Sequence, residues 1–211
     1  MSQSVPVPPH AGRRASALPV PTQVAVTGVF AALIAVAAML PPIPVGGFGV
    51  PITLQTFAVM LTGIVLGARL GFLAVLLYLV AGLAGLPIFS GFSGGLGVLA
   101  GPSAGYLLAF PLAAALAGGL TTAVLRRSVQ RTPAPGFGRW VLVFLSAMLA
   151  SFTFIHPMGI GGMMLALELD LTTAIGADMV FWPGDVVKNV LATAVAVSLF
   201  RAFPGLAQRR W

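Results

Sequence analysis

Six apolar runs, each near the length needed to cross a lipid bilayer, follow one another along this chain with only short connections between them. A crossing of the hydrocarbon core takes about 20 mainly apolar residues, with a usual range of about 17–25. The runs cover roughly 23–40, 52–67, 70–86, 103–125, 140–165 and 183–203. The second is short, and is expected to borrow residues from the preceding loop or to be shielded by neighbouring helices. Of the residues, 58% are hydrophobic and 7% charged, against about 25% charged in ordinary soluble domains. Such an inventory cannot clothe a water-facing surface, so the reading is an all-α integral membrane protein with six transmembrane helices.

The arginines test that count. Cytoplasmic loops retain basic residues, and Arg13 and Arg14 precede the first run, Arg69 separates the second and third, Arg126, Arg127, Arg131 and Arg139 separate the fourth and fifth, and Arg201, Arg209 and Arg210 follow the sixth. With six crossings all of them share one face. The opposite loops, 41–51, 87–102 and 166–183, hold no lysine or arginine, and their only charges are Glu168, Asp170 and Asp178. Both termini are therefore expected in the cytoplasm, in a multi-pass protein of the cytoplasmic membrane. The expected organisation is a flexible cytoplasmic tail over 1–21, a membrane domain over 22–204 and a basic tail over 205–211. Pro19 and Pro21 break the apolar run after Arg14, so no signal-peptide cleavage is expected.

Several function classes drop out. The chain has no cysteine, which excludes thiol nucleophiles and thiolate-bound metal sites. No nucleotide-binding glycine loop, serine–histidine–acid set or metal motif is present, and no cofactor is expected. The net charge of +7 is distributed as topology signals without a basic, aromatic-interleaved patch, so nucleic acid is not an expected partner; the bilayer is.

Lys188 is the basic residue outside the topological pattern. It lies with Asp185 inside the sixth run near its external end, and a charge at the centre of a lone membrane helix costs about 2.5–3.5 kcal/mol, so such residues face a bundle interior or a watered cavity. Three residues apart, the two share a helix face. They form either a structural ion pair, with snorkelling of the lysine as a variant, or a polar binding site open to the outside. Pro183 precedes Asp185, placing the carboxylate in the first turn, where the helix dipole favours it.

Other candidates accompany this pair. Thr53 and Gln55 start the second run, and Tyr106 in the fourth has a hydroxyl that needs a partner. The loops Pro41–Phe48 and Phe89–Gly95 are rich in glycine, proline and phenylalanine, residues suited to folding over a ligand, with Phe89 and Phe92 offering flat apolar surface. His156, isolated in the fifth run from any carboxylate at ligand spacing, reads as a packing histidine.

The stretches Val50-Pro51-Ile52-Thr53-Leu54-Gln55-Thr56-Phe57, Gly82-Leu83-Ala84-Gly85-Leu86-Pro87-Ile88-Phe89, Gly101-Pro102-Ser103-Ala104-Gly105-Tyr106 and Phe181-Trp182-Pro183-Gly184-Asp185-Val186-Val187-Lys188, in this order over roughly 25–200, together resemble the BioY family. That family comprises biotin-binding S components of energy-coupling-factor (ECF) transporters. The resemblance implies six helices, biotin as the transported ligand, a transmembrane T subunit and ATPase subunits as partners, biotin contacts at Asp185 and Lys188, and a lid in the loop before Thr53. It also implies that Ala31 and Ala35 form a small-residue face by which the first helix docks on the T subunit.

Two alternatives stay open. One is an S component for thiamin or riboflavin. The other is a membrane enzyme using Asp185, Lys188 and His156, against which stands the expected separation of His156, near mid-helix, from Asp185 near the outer end.

Overall fold

The computed structural model describes residues 19–45, 47–128 and 136–208. Most of the expected N-terminal tail, with Arg13 and Arg14, lies outside these residues, as do Arg131, Arg209 and Arg210. The described chain is helical, with isolated bridges at Ile43–Ile52 and Phe89–Ser93 and no strand. Five helical stretches are long and apolar enough to cross a membrane: Val20–Met39, Gln55–Leu83, Ala104–Arg126, Phe137–Leu167 and Trp182–Ala202.

The second stretch, α2 (Gln55–Leu83), is interrupted at Gly67, whose φ of 81° and ψ of −178° are not helical. Eight residues of straight helix span about 12 Å, yet a Cβ on Gly71 would stand 3.0 Å from Gly63 Cα. The chain turns back at Gly67, and 55–66 and 68–83 lie side by side as a hairpin. Glycine is required because a side chain excludes this backbone region. Exposed Arg69 stands at the turn, where the sequence separated its second and third runs.

α1 (Val20–Met39) packs on this hairpin through Ala31, Ile34 and Ala38. Their spacing defines the inward face. Ala31, which the resemblance assigns with Ala35 to a docking face, is 8% exposed and belongs to the core, and Ala35 is half-buried against it. Ile34, the largest fully buried side chain of α1, sets the helix phase and turns Ala31 toward α2, leaving Val29, Ala32 and Val36 outward.

α3 (Ala104–Ser128) makes the most extensive contact with α2. The contact is backbone against backbone: a side chain on Gly63 would run into the Ala114 carbonyl, and one on Gly118 into Gly67. Small residues permit such approach between membrane helices. α4 (Phe137–Ala150) continues through a π-helical turn, Ser151–Ile155, into α5 (His156–Leu167).

A helix not expected from the sequence follows. α6 (Leu171–Met179) is capped by Asp170, whose carboxylate accepts from the Thr172 and Thr173 amides. It returns the chain to the start of α7 (Trp182–Ala202). The short α8 (Pro204–Gln208) occupies part of the expected basic tail.

Candidate functional site

Four chain segments meet at the end of the bundle opposite Arg69, Arg126 and Arg201: the start of α2, the 87–103 connection, the start of α3 and the start of α7. They enclose a cavity of about 320 Å³, within the range of about 300–1,000 Å³ usual for small-molecule sites. Its floor and walls include Gln55, Thr56, Phe89, Tyr106, Leu107, Phe110, Phe181, Asp185 and Lys188. Pro42 and Gly49–Thr53 close it from the side of the first connection.

Pro183, the second residue of α7, sets Asp185 in its first turn. Asp185 and Lys188 are only 5% and 8% exposed, a burial that two charges tolerate when paired. Lys188 Nζ donates to Asp185 Oδ1 at 3.0 Å. Thr56 Oγ1 donates to the same oxygen at 3.1 Å. The pair thus faces the cavity and joins α7 to α2.

Gln55 Nε2 donates to Tyr78 Oη at 2.8 Å, and Tyr78 Oη donates to the Ile88 carbonyl at 3.3 Å. Gln55 is therefore anchored by its amide nitrogen. Thr53 lines the rim and its Oγ1 accepts from the Gln55 amide at 3.3 Å. Phe89 packs edge-on to Tyr78 with ring centroids 5.4 Å apart. Its ring occupies the space a side chain at Gly82 would need.

Tyr106 donates a 2.7 Å hydrogen bond to Asp178 Oδ1 and stands edge-on to Phe181. A side chain at Gly159 would collide with its ring. Asp178 is fully buried and also accepts from Trp182 Nε1 at 2.8 Å. His156 Nδ1 stands 2.9 Å from Asp178 Oδ2, and its Nε2 lies 3.7 Å from Asp185 Oδ2.

Of the residues proposed from sequence, Thr53, Gln55, Phe89, Tyr106, Asp185 and Lys188 come together around the cavity. Phe92 does not. It is 62% exposed and absent from the lining, because the short turn Ser90–Phe92 runs through positive φ at Gly91 and Phe92 and throws that ring outward.

The expected isolation of His156 is also corrected. α4–α5 together reach well beyond the level at which α7 begins, and α6 brings the chain back, so a mid-helix histidine meets a first-turn aspartate. The distance argument against an enzyme falls with it. Sequence reasoning further missed Asp178, taken as a loop charge, and Thr56, which sat unremarked beside Gln55. The Asp170 cap ahead of an apolar nine-residue run signals α6; nothing in the sequence signals that Asp178 turns inward. Ser90 Oγ, at the cavity wall, is buried without a hydrogen-bond partner in the protein.

Comparison with known proteins agrees with this architecture. The family model of the BioY family matches residues 11–205. The chain is 37% identical over 183 residues to a biotin transporter BioY of Rhizobium etli, covering 87% of this chain and 95% of that protein. It is 40% identical over 184 residues to a biotin transporter BioY of Rhodobacter capsulatus, covering 86% and 94% respectively. Its fold is similar to the crystal structure of the S-component for biotin from an ECF-type ABC transporter, with a TM-score of 0.75, 28% identity and coverage of 88% of this chain and 95% of that one.

Proposed function

Because the chain belongs to the BioY family, we propose that it takes up biotin as the substrate-binding S component of an ECF-type transporter. The observation that carries this reading is the buried Asp185–Lys188 pair on the wall of an otherwise largely apolar cavity. Biotin offers a carboxylate to a cation, ureido N–H groups to a carboxylate and a fused ring to phenylalanine. Lys188, Asp185 and the rings of Phe89, Phe110 and Phe181 match those three demands, and Ser90 Oγ adds a hydrogen-bonding group.

The hairpin at Gly67 supports six crossings, four of the five long stretches counting once and α2 twice. The arm 55–66 is about 18 Å long at 1.5 Å per residue, well short of a hydrocarbon core of about 30 Å. The 42–54 segment and the cavity occupy the remaining depth. Arg69, Arg126 and Arg201 gather at one end, and the preference of basic loops for the cytoplasm orients both termini inward and the cavity outward in the inner membrane. A T subunit and ATPase subunits supply the energy for inward release.

The test is equilibrium binding with the purified chain in detergent. Labelled biotin binds saturably and is displaced by unlabelled biotin but not by thiamin or riboflavin. Displacement by either vitamin, with no retention of biotin, overturns the assignment.

A further inference from the structure

Behind the cavity lies a second layer of ionisable groups drawn from three helices. Asp178 of α6 faces His156 of α5, which in turn faces Asp185 of α7, with Lys188 beyond it. Tyr106 of α3 and Trp182 of α7 approach the same cluster as neutral donors to Asp178. The Phe152 ring covers His156, with centroids 4.4 Å apart.

An ionised carboxylate only accepts hydrogen bonds, so the His156 nitrogen beside Asp178, Nδ1, carries hydrogen. In a neutral ring Nε2 is then a lone pair. It is buried without a hydrogen-bond partner and points at another acceptor, Asp185 Oδ2, 3.7 Å away. Two acceptors facing one another in a buried site repel, while a proton on Nε2 converts the contact into an ion pair. The charge count agrees: Asp178 and Asp185 are balanced by Lys188 and an imidazolium, whereas Lys188 alone leaves a buried negative charge uncompensated.

We propose that His156 is held as an imidazolium bridging Asp178 and Asp185, and that it positions Asp185 for the ligand. Asp185 Oδ1 is engaged by Thr56 and Lys188, and its Oδ2 faces His156. With the imidazolium beside Oδ2, Lys188 is free to turn toward an anionic ligand group without stranding Asp185. The neutral ring would hold Lys188 to Asp185 and close the site to anions. The binding part of this inference rests on the biotin reading; the protonation part does not.

Two measurements test it. His10 is the other of the two histidines in the chain, so in a His10→Ala protein the ring nitrogens labelled with nitrogen-15 report His156 alone. At neutral pH and without ligand both nitrogens should be protonated; a lone-pair Nε2 resonance overturns the proposal. In the second, His156→Gln, which cannot carry the charge, should bind biotin about tenfold more weakly at neutral pH but bind an uncharged biotin amide nearly as the wild type does, because the imidazolium frees Lys188 for an anionic group. A variant that binds biotin as the wild type does, or that loses biotin and the amide alike, overturns the positioning role. Failure of the wild type to bind biotin would count against the biotin reading, and the nitrogen spectrum would still decide the proton.

Discussion

Gln55 and Tyr78 are joined by a 2.8 Å hydrogen bond between the two arms of the hairpin that turns at Gly67. The bond fixes the cavity side of α2, since Gln55 lines the cavity while Tyr78 reaches on to the Ile88 carbonyl and packs against Phe89. Tyr78→Phe removes the hydroxyl and leaves a buried amide and a carbonyl without partners, a loss of about 1–3 kcal/mol. Thermal unfolding in detergent should show lower stability, and biotin affinity should drop with it. Unchanged melting and affinity would mean that water replaces the hydroxyl and that the bond is incidental.

The reversal itself is testable. Gly67 holds a conformation that side chains avoid at a cost of about 1–3 kcal/mol, and α3 passes against it at Gly118. Gly67→Ala should lower the melting temperature more than Gly119→Ala, because the space at Gly119 is limited only by an ordinary contact with Ala68. Equal effects at the two positions would contradict the hairpin geometry.

Lys188→Ala removes the cation facing the cavity and leaves Asp185 without its ion-pair partner on α7. Truncating one member of a buried, hydrogen-bonded charge pair costs about 2–5 kcal/mol, or roughly 30-fold and more in affinity. Asp185→Asn keeps the shape but places an amide donor where an acceptor stood, so it too should weaken binding. If both variants lost folded yield while the surviving protein bound biotin normally, the pair would be a helix lock instead of a ligand contact.

Sidedness can be read without background labelling because the chain has no cysteine. Exposed Ser93 and Thr172 lie at the cavity end, and exposed Arg126 and Gly138 at the arginine end. Cysteines at the first two should react with an impermeant reagent added outside intact cells, and those at the last two only after permeabilisation. Outside labelling at residue 126 would reverse the orientation proposed for the cavity.

Asp170 supplies a pH signature outside the spans. Hydrogen bonds from the Thr173 side chain, then the Thr173 and Thr172 amides, hold its carboxyl below the ordinary carboxylate range. A lowered folded-state pKa gives a stabilisation present above the unfolded value and lost as pH falls through the folded one. The first-turn amides of α6 should therefore lose hydrogen-exchange protection in acid, with Asp170→Ala lacking both the protection and the step. A step that survives the substitution would locate the acid-sensitive group elsewhere.

Much of the fold was legible because a membrane span is a one-dimensional signal. The runs at 23–40, 103–125 and 183–203 correspond to α1, the membrane part of α3 and α7 within a few residues. The paired runs 52–67 and 70–86 anticipated the hairpin, since Gly67 and Arg69 mark a turn that bilayer length demands. α6 was passed over because its nine residues are too few for a span and were counted as connection. The cavity set was legible at Asp185 and Lys188, where charge inside an apolar run demands an explanation. It was not legible at Asp178, where a charge in a connecting segment demands none.

The sequence by itself determined the solvent of this protein, the segments long and apolar enough to cross that solvent and the clustering of its basic residues. The physical reason is that hydrophobic length and the cost of burying charge are properties of a segment. Only the tertiary structure decided that Ala31 faces α2, that Phe92 points away from the cavity, and that His156 lies between Asp178 and Asp185. The placement of Phe92 follows from the positive-φ turn at Gly91 and Phe92. Those of Ala31 and His156 depend on helix phase and relative depth. Both are set by how Ile34 packs on α2 and how closely glycine backbones at Gly63, Gly118 and Gly159 let neighbouring elements approach, quantities that no single segment contains.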